Sequence, residues 1–284
     1  MASDTEEISN LVKQMDKHLR TELLIKDGVI SEKQLWENTH IKKQIDKRNE
    51  NSVFSIEDHI RAMVYSMLSS GITWKRVEDD IDISTGRITS VDKVFFQYDV
   101  NEIMKHSPKY YEEEIKGLHF ASQYTSKQME ALIQKNIPKL MKYEKEYGSV
   151  DKYYQTYVEK DKSCKGLVKV LSSENSADKM TQMGIPLVCE YLRNVGYDIP
   201  KPDRHICRIL GKDYLALSSK QPVPTEEAFD IVSDLASTSG KSIAETDYIL
   251  WSYCANGYGE ICTKSNAKCE ICKAKEHCNT NGTR

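Results

Sequence analysis

The sequence contains no run of about 18 apolar residues, so no helix is expected to cross a membrane. Its first residues, MASDTEEISN, are acidic and polar, and they lack the basic start and apolar centre of a secretory signal. Without a membrane helix or a secretory signal, a cytoplasmic location is expected. Disulfides are uncommon in proteins that stay in the cytosol, so the eight cysteines need an explanation other than disulfide bonding.

The chain also lacks a strong net charge and a clear signal for β-structure. The formal charge is −3, which does not by itself indicate a nucleic-acid binder. The last residues, Cys262 to Arg284, nevertheless hold five basic and two acidic side chains, and such a local excess matters more than the total for docking on phosphates. A solvated lysine-rich tail explains the same excess equally well.

Helical signals dominate the chain. Ser31 with Gln34, and Ser55 with Asp58, have the spacing of capping boxes at helix starts. No turn dipeptide joins a pair of strand-like segments. The pattern predicts an all-α protein of about ten to thirteen helices, with little or no sheet. The proline-containing run from Gly196 to Pro202 interrupts the helical pattern and predicts a crossing between two domains.

Four cysteines lie within a short polar segment close to the end of the chain, separated by six, two and five residues: Cys262, Cys269, Cys272 and Cys278. This segment is too polar to need cysteines for packing, and four thiolates suit zinc or an iron–sulfur cluster. The tight winding favours a 4Fe-4S cluster, with zinc as the alternative. The remaining cysteines are scattered among apolar residues and are interpreted as small core residues.

The cysteine spacing and the segments around it resemble the endonuclease III family of helix-hairpin-helix DNA glycosylases, whose cluster loop has the same spacing. The resemblance covers roughly residues 55 to 278 and is strongest from about 183 onward. It is carried further by three segments: Asp247-Tyr248-Ile249-Leu250-Trp251-Ser252-Tyr253-Cys254-Ala255-Asn256-Gly257-Tyr258-Gly259, Pro202-Asp203-Arg204-His205-Ile206-Cys207-Arg208, and Leu68-Ser69-Ser70-Gly71-Ile72-Thr73.

The resemblance implies two helical domains. Residues 56–197 would form a six-helix barrel that contains the helix-hairpin-helix. Residues 198–284 would form the cluster domain with the iron–sulfur loop, and N-terminal helices in residues 1–55 would pack with it. Double-stranded DNA would lie across the groove between the two domains, and a monomer associated with the nucleoid is expected.

Asp203 aligns with the catalytic aspartate of this family. Breaking the bond between a base and its sugar develops positive charge on the sugar, which a nearby carboxylate can stabilise while it directs water. Asp203 also follows Pro202 and precedes a short helical segment, so spacing alone favours a helix N-cap. The resemblance favours the catalytic role, and one residue can fill both.

The hairpin of the family corresponds here to Thr181-Gln182-Met183-Gly184-Ile185-Pro186-Leu187. Gly184 is expected to supply the tight turn, Pro186 suits the first helical position, and backbone amides there can hold a DNA phosphate. One glycine of the family pattern is missing. An ordinary core helix–turn–helix explains these residues equally well.

The lysine nucleophile of bifunctional family members is replaced by Pro186 or Leu187, so the amine that would form a Schiff base is missing at that position. Gly71 stands where relatives have a glutamine that fills the gap left by a flipped base, and Tyr65 stands where the adenine-mispair branch has its catalytic glutamate. The wedge, meaning the side chain that enters the base stack when a base is flipped out, is therefore expected elsewhere. Its candidates are Ile72, Trp74, His119, Phe120 and Tyr124.

These features predict a monofunctional DNA glycosylase that flips out and hydrolyses a damaged, mispaired or modified base. DNA contacts are expected from Gly184, Ile185, Pro186, Gly71, Ile72, His119, His205, Arg208, Lys264 and Lys268. Two alternatives stay open: a DNA-binding relative without catalysis, and a bifunctional glycosylase and abasic-site lyase that uses an unaligned lysine.

Overall fold

A computed structural model describes residues 2–161 and 163–280, with the side chains of residues 2–9 left aside. The first α-helix continues into the π-helical turn Leu19–Lys26. The α-helices up to the hairpin are α1 (Ala2–His18), α2 (His40–Asn49), α3 (Ile56–Leu68), α4 (Lys75–Glu78), α5 (Thr89–Val94), α6 (Val100–Ile103), α7 (Pro108–Gly117), α8 (Thr125–Ala131), α9 (Ile137–Tyr147), α10 (Val150–Val158) and α11 (Lys165–Ser172). The others are α12 (Ile185–Arg193), α13 (Arg204–Ile209), α14 (Thr225–Ser239) and α15 (Ile243–Cys254).

The prediction of an all-α protein is confirmed. The strands in the described residues are the two-residue β1 (Ile81–Asp82) and β2 (Arg87–Ile88), which pair antiparallel. Within the same residues the fifteen α-helices exceed the expected ten to thirteen, because α4, α5, α6 and α13 are only four to six residues long. Helices this short contain too few apolar positions to show a helical period.

Local capping explains where several helices begin. The Ser55 hydroxyl accepts from the Asp58 amide at 3.3 Å, and Asp58 accepts in return from the Ser55 amide at 3.2 Å, which is the predicted capping box of α3. At the other predicted box, Gln34 accepts from the Ser31 amide at 2.9 Å, although only a three-residue 3₁₀ turn, Glu32–Gln34, follows. Gly148, with φ of +78°, ends α9 in the left-handed conformation that favours glycine.

The chain divides into two compact units. One, here named the discontinuous unit, joins residues 1–39 to residues 198–284, and the other, the continuous unit, comprises residues 40–197. Residues 40–55, including α2, thus belong to the continuous unit. None of the described helices is both long and apolar enough to cross a membrane.

The core of the discontinuous unit lies between α1, α13, α14 and α15. Leu11, Met15 and Leu19 project from the N-terminal helix into this core, where they join residues such as Ile206 and Leu250. The N-terminal segment is therefore an integral part of the unit that carries Asp203 and the cysteine loop, since burying such apolar side chains is the main source of its stability.

Candidate active site, hairpin and metal centre

Asp203 is the N-cap of α13. Its Oδ1 accepts hydrogen bonds from the amides of His205 at 2.7 Å and Ile206 at 3.2 Å. No described residue donates a hydrogen bond to its Oδ2, and the side chain is partly exposed. The cap predicted from spacing is therefore present, and it uses only one of the two carboxylate oxygens.

The segment that leads to Asp203 is held against α15 by two other carboxylates. Asp198 lies at the start of α15, where it accepts from the amides of Ala244 at 2.8 Å and Ile243 at 3.2 Å. The Lys201 amide donates to Asp247 Oδ1 at 2.9 Å, and Asp247 is buried. These contacts fix the backbone on the N-terminal side of Asp203, whereas the cap fixes the other side. Sequence reasoning did not assign this role to Asp198 or Asp247, since it depends on partners more than forty residues away.

His205 and Arg208, both expected to contact DNA, follow on α13. Burial lowers the pKa of His205, and its buried Nδ1 has no hydrogen-bond partner among the described residues. The Arg208 guanidinium donates to the carbonyl of Cys262 and lies 5.8 Å from the centre of the Tyr214 ring. Arg208 thus ties the helix that Asp203 caps to the first cysteine of the loop, and its contact with DNA stays a prediction.

The four clustered cysteines line one small cavity. Its walls are Tyr214, Ile261, Cys262, Ala267, Cys269, Cys272, Lys275, Cys278 and Thr280. Burial, together with the charges of the other three loop cysteines, raises the pKa of Cys272 to about 11. Burial and the charges of Cys278 and Cys262 likewise raise the pKa of Cys269. The neighbouring thiolates therefore oppose the ionisation of Cys269 and Cys272, which a bound cation would relieve.

No group of three or more His, Cys, Asp or Glu side chains in the described residues is placed to hold a single metal ion. A zinc ion needs its four ligand atoms gathered around one point, with Zn–S distances of about 2.3 Å. A 4Fe-4S cluster attaches each of four cysteines to a different iron, so the sulfurs surround a space. Four cysteines that line one cavity are the donor set that such a cluster needs.

A fifth cysteine lies beside this group. Cys254, at the end of α15, is 1% exposed, and its thiol forms a hydrogen bond with the side chain of Cys262, which is the main reason why the pKa of Cys254 is raised. The sequence placed Cys254 in the core, where the structure has it. Its contact with the cysteine loop was not expected. Lys264 is exposed and Lys268 partly exposed on the same loop, while Arg284 lies outside the described residues.

The hairpin between α11 and α12 has a different turn from the one expected. Gly184 was expected to supply the tight turn, but it has extended φ and ψ of −82° and 179° and acts as the N-cap of α12. The residue with positive φ in this turn is Gln182, at +62°. A Cβ on Gly184 would meet no atom within 4 Å, so the backbone does not require glycine there. Pro186 is the second helical residue rather than the first.

The tip of the hairpin is open to solvent. Gly184 is exposed, and Ile185 and Pro186 are partly exposed. The amides of Gly184 and Ile185 donate to no acceptor among the described residues, whereas the Leu187 and Val188 amides both donate to the Gly184 carbonyl. Two amides at the start of a nine-residue helix are thus available to an anion.

Residues of α9 and the turn before it hold the hairpin in place. The fully buried Asn136 accepts from the Thr181 amide at 2.8 Å and donates to the Thr181 carbonyl at 3.1 Å. Lys139 donates to the carbonyls of Ala177 at 2.8 Å and Lys179 at 2.7 Å. Sequence reasoning did not find this clamp, because the partners are about 40 residues apart and form no motif.

Two other loops of the continuous unit meet at Gly71. A Cβ built on Gly71 would lie 3.1 Å from Ser122 Cβ and 3.2 Å from ring carbons of Tyr124. The expected DNA-contact residues Gly71, Ile72 and His119 all lie in these two loops, at least partly exposed. Tyr65, in contrast, is 2% exposed and donates to Asp92 Oδ1 at 2.7 Å.

The all-α fold is similar to the helix-hairpin-helix fold of two DNA glycosylase structures. The 8-oxoguanine DNA glycosylase of Methanocaldococcus jannaschii matches with a TM-score of 0.51 and 19% identity, over 85% of this chain and 92% of that one. A structure of the 8-oxoguanine glycosylase/lyase of that organism, in complex with a 15mer DNA containing 8-oxoguanine, matches with a TM-score of 0.51 and 18% identity, over 85% and 95%. No protein-family model and no curated protein matches the sequence.

Proposed function

We propose that this protein is a DNA glycosylase that flips a damaged, mispaired or modified base out of double-stranded DNA and hydrolyses its bond to the sugar. The observation that carries the proposal is the state of Asp203. One carboxylate oxygen caps α13, and the other accepts no hydrogen bond from a described residue, in a chain with the fold of glycosylases. Asp99 caps α6 with one oxygen in the same way, so the proposal rests on this uncommitted oxygen together with the glycosylase fold.

Asp203 has two tasks in the proposed reaction. The bond between the base nitrogen and C1′ of the sugar breaks, and the bonding electrons leave with the base, which takes up a proton. The uncommitted Oδ2 stabilises the positive charge that develops on the sugar. It also accepts a proton from the attacking water, whose oxygen forms the new bond to C1′. The cap holds the carboxylate in one orientation, so little reorganisation accompanies the reaction.

The hairpin would anchor the DNA backbone. The amides of Gly184 and Ile185 point from the start of α12, where the helix dipole favours a phosphate. The clamp by Asn136 and Lys139 fixes the position of these amides. Lys264 and Lys268 on the cysteine loop would add contacts to phosphates, which raise affinity without reading sequence.

Water rather than an amine is the proposed nucleophile. Two lysines, Lys139 and Lys179, have their ammonium groups engaged on or beside the segment that leads into the hairpin turn. Lys139 donates to two backbone carbonyls, and Lys179 donates to the Ser172 carbonyl at 3.1 Å and to Glu174. An ammonium group that is occupied in this way is a poor nucleophile. Lyase activity remains the second candidate, because one structural neighbour is described as a glycosylase/lyase.

Cys262, Cys269, Cys272 and Cys278 would hold a 4Fe-4S cluster. When bound, the cluster would cross-link the loop that carries these four cysteines, and it would supply no chemistry on the base. The loop would then be fixed relative to α13 through the hydrogen bond from Arg208 to the Cys262 carbonyl. The same cross-link would hold Lys264 and Lys268 towards the DNA backbone.

8-Oxoguanine is the first base to test, because both structural neighbours are described as acting on it. The experiment measures base release from duplexes that each contain one altered or mispaired base, with and without hot alkali. Wild type is compared with Asp203→Asn, which keeps an oxygen for the cap. Asp99→Asn is the matched control, because Asp99 caps α6 through the same pair of contacts, to Asn101 at 2.8 Å and Glu102 at 3.1 Å.

Strand breaks that need alkali, and that disappear only in Asp203→Asn, are the expected result. Loss of about 10² to 10⁴-fold in rate is the usual effect of removing a general base. Breaks without alkali, together with trapping by borohydride, would instead indicate a lyase. Tight binding of the DNA with no base released from any duplex would favour a binding protein without catalysis.

A further inference from the structure

Extruding a base from duplex DNA leaves a gap in the stack, and a side chain that enters this gap lowers the cost of extrusion. Such a side chain must be large, flat or apolar, exposed before binding and fixed at its backbone. Phe120 is excluded because it is only 8% exposed. Tyr124 is 44% exposed, which makes it one of the few large apolar side chains open to solvent in the described residues.

Ile72 and Trp74 are only partly exposed, which leaves His119 and Tyr124 as the exposed candidates, and the ring of Tyr124 is the one that lies against Gly71. Its Cδ2 and Cε2 occupy the place that a side chain on Gly71 would need, 3.2 Å from the position of a Cβ. Gly71 has φ of +81°, a conformation that favours glycine. The loop after α3 therefore contributes backbone rather than a side chain at this point, and the tyrosine ring lies against it.

The backbone of Tyr124 is fixed although its ring is exposed. Its amide donates to Ser122 Oγ at 3.1 Å, and its carbonyl accepts from the Gln128 amide at 3.0 Å at the start of α8. The Ser122 amide in turn donates to Thr125 Oγ1 at 2.8 Å. Only two side-chain torsions remain to be ordered on binding, so insertion of this ring has a small entropic cost.

We propose that Tyr124 is the side chain that enters the base stack when the target nucleotide is extruded, with Gly71 leaving room for its ring. This inference rests on the proposed glycosylase function. A tyrosine ring stacks on any base, so the insertion is tolerant of sequence.

The test uses a duplex with a stable tetrahydrofuran abasic analogue and an intact duplex of the same sequence. The readouts are the ratio of the two dissociation constants and the fluorescence of a 2-aminopurine placed opposite the analogue. The variants are Tyr124→Ala and Tyr124→Phe. The matched control is Tyr147→Ala, since Tyr147 is 43% exposed in the same unit.

Tyr124→Ala is expected to lower the preference for the abasic duplex by about 5- to 150-fold, the usual range for losing one aromatic stacking contact. Its 2-aminopurine signal should return towards that of the free duplex. Tyr124→Phe and Tyr147→Ala should stay within about twofold of wild type. Circular dichroism melting verifies that each variant is folded.

Two outcomes would overturn the proposal in distinguishable ways. If wild type prefers the abasic duplex and Tyr124→Ala retains that preference within about twofold, the wedge is another residue and the glycosylase function stands. If wild type has no preference for the abasic duplex and releases no base from the panel above, the proposed function fails, and the role of Tyr124 fails with it.

Discussion

Asp203 illustrates how much one side chain depends on its own backbone. The cap contacts to His205 and Ile206 lie within three residues of Asp203, so they form wherever this short segment becomes helical. Asp99 has the same uncommitted second oxygen at its own cap, so the proposed catalytic role is what separates Asp203 from an ordinary cap. Helix capping and the proposed catalysis by Asp203 can nevertheless be separated by substitution.

Asp203→Ala should destabilise the protein by about 1 kcal/mol, the usual effect of removing an N-cap, and should also abolish base release. Asp203→Asn should lose base release with less effect on stability, since the amide oxygen still accepts the two cap hydrogen bonds. Urea denaturation of both variants measures whether Asp203→Ala loses more stability than Asp203→Asn. Asp99→Ala is the control, because it should lose similar stability at its own cap and keep base release.

At the scale of elements, the hairpin depends on a neighbouring helix for its shape. Asn136 satisfies both backbone groups of Thr181, and Ser66 of α3 donates to the Leu187 carbonyl at 2.6 Å on the other side. Such long-range contacts allow the turn to keep its position although Gln182, not a glycine, adopts the positive φ.

Asn136→Ala is expected to destabilise the protein by about 1–3 kcal/mol, because it leaves a partly buried amide and carbonyl of Thr181 without partners. DNA affinity should fall with it, since the amides of Gly184 and Ile185 lose their fixed position. Urea denaturation and a binding titration measure the two effects. Asn101→Ala, at an exposed position, should change stability by less than about 0.5 kcal/mol.

The cysteine loop is the second element with a separable role. Cys269→Ser and Cys272→Ser should each lower the iron and sulfide content of the anaerobically purified protein and weaken its visible absorption, because a hydroxyl is a poor ligand for the cluster. Cys189→Ala removes a buried thiol of the continuous unit, so it should keep the iron. Stoichiometric zinc without iron in the wild type would contradict the proposed cluster.

At the scale of the whole molecule, the continuous unit has a buried ionic network that links α2, α3 and α10. Asp151 accepts from Arg48 at 2.8 Å and from the Phe54 amide at 2.9 Å, and it lies 3.2 Å from His59 Nε2. The other ring nitrogen of His59 is 2.7 Å from the Tyr191 hydroxyl. A buried network of this kind is sensitive to any change in protonation.

The pKa of Asp151 is about 2, since its hydrogen bond to His59 and the charges of His59 and Arg48 outweigh the burial that would raise it. Burial lowers the pKa of His59 below its ordinary value of 6.5. The unfolded chain therefore binds more protons than the folded one at acid pH, and stability should fall as the pH falls.

We expect the free energy of unfolding to decline below about pH 6.5 and more steeply between about pH 4 and 2, where Asp151 contributes about 2 kcal/mol. Denaturation across this range measures the slope. Asp151→Asn should flatten it below pH 4, although the variant is less stable throughout. Asp46→Asn, which removes a partly exposed ion pair with Lys42, should leave the slope unchanged. An equally steep slope in Asp151→Asn would contradict the assignment.

The sequence by itself determined the features that depend on neighbouring residues. The all-α class follows from helical periodicity, and the caps at Ser55 and Asp203 need only the next three residues. The cysteine spacing likewise placed four thiols around one cavity, because so short a segment can separate them only slightly. The catalytic and DNA-contact roles of the predicted residues stay predictions.

Only the tertiary structure decided which distant residues complete each site. Neither the clamp of Asn136 on Thr181 nor the hydrogen bond from Arg208 to Cys262 has a local signal, since their partners are 45 and 54 residues apart. The ring of Tyr124 against Gly71 is a contact of the same kind. Helix periodicity and caps are decided by backbone geometry within a turn or two, whereas these contacts are decided by how whole helices pack.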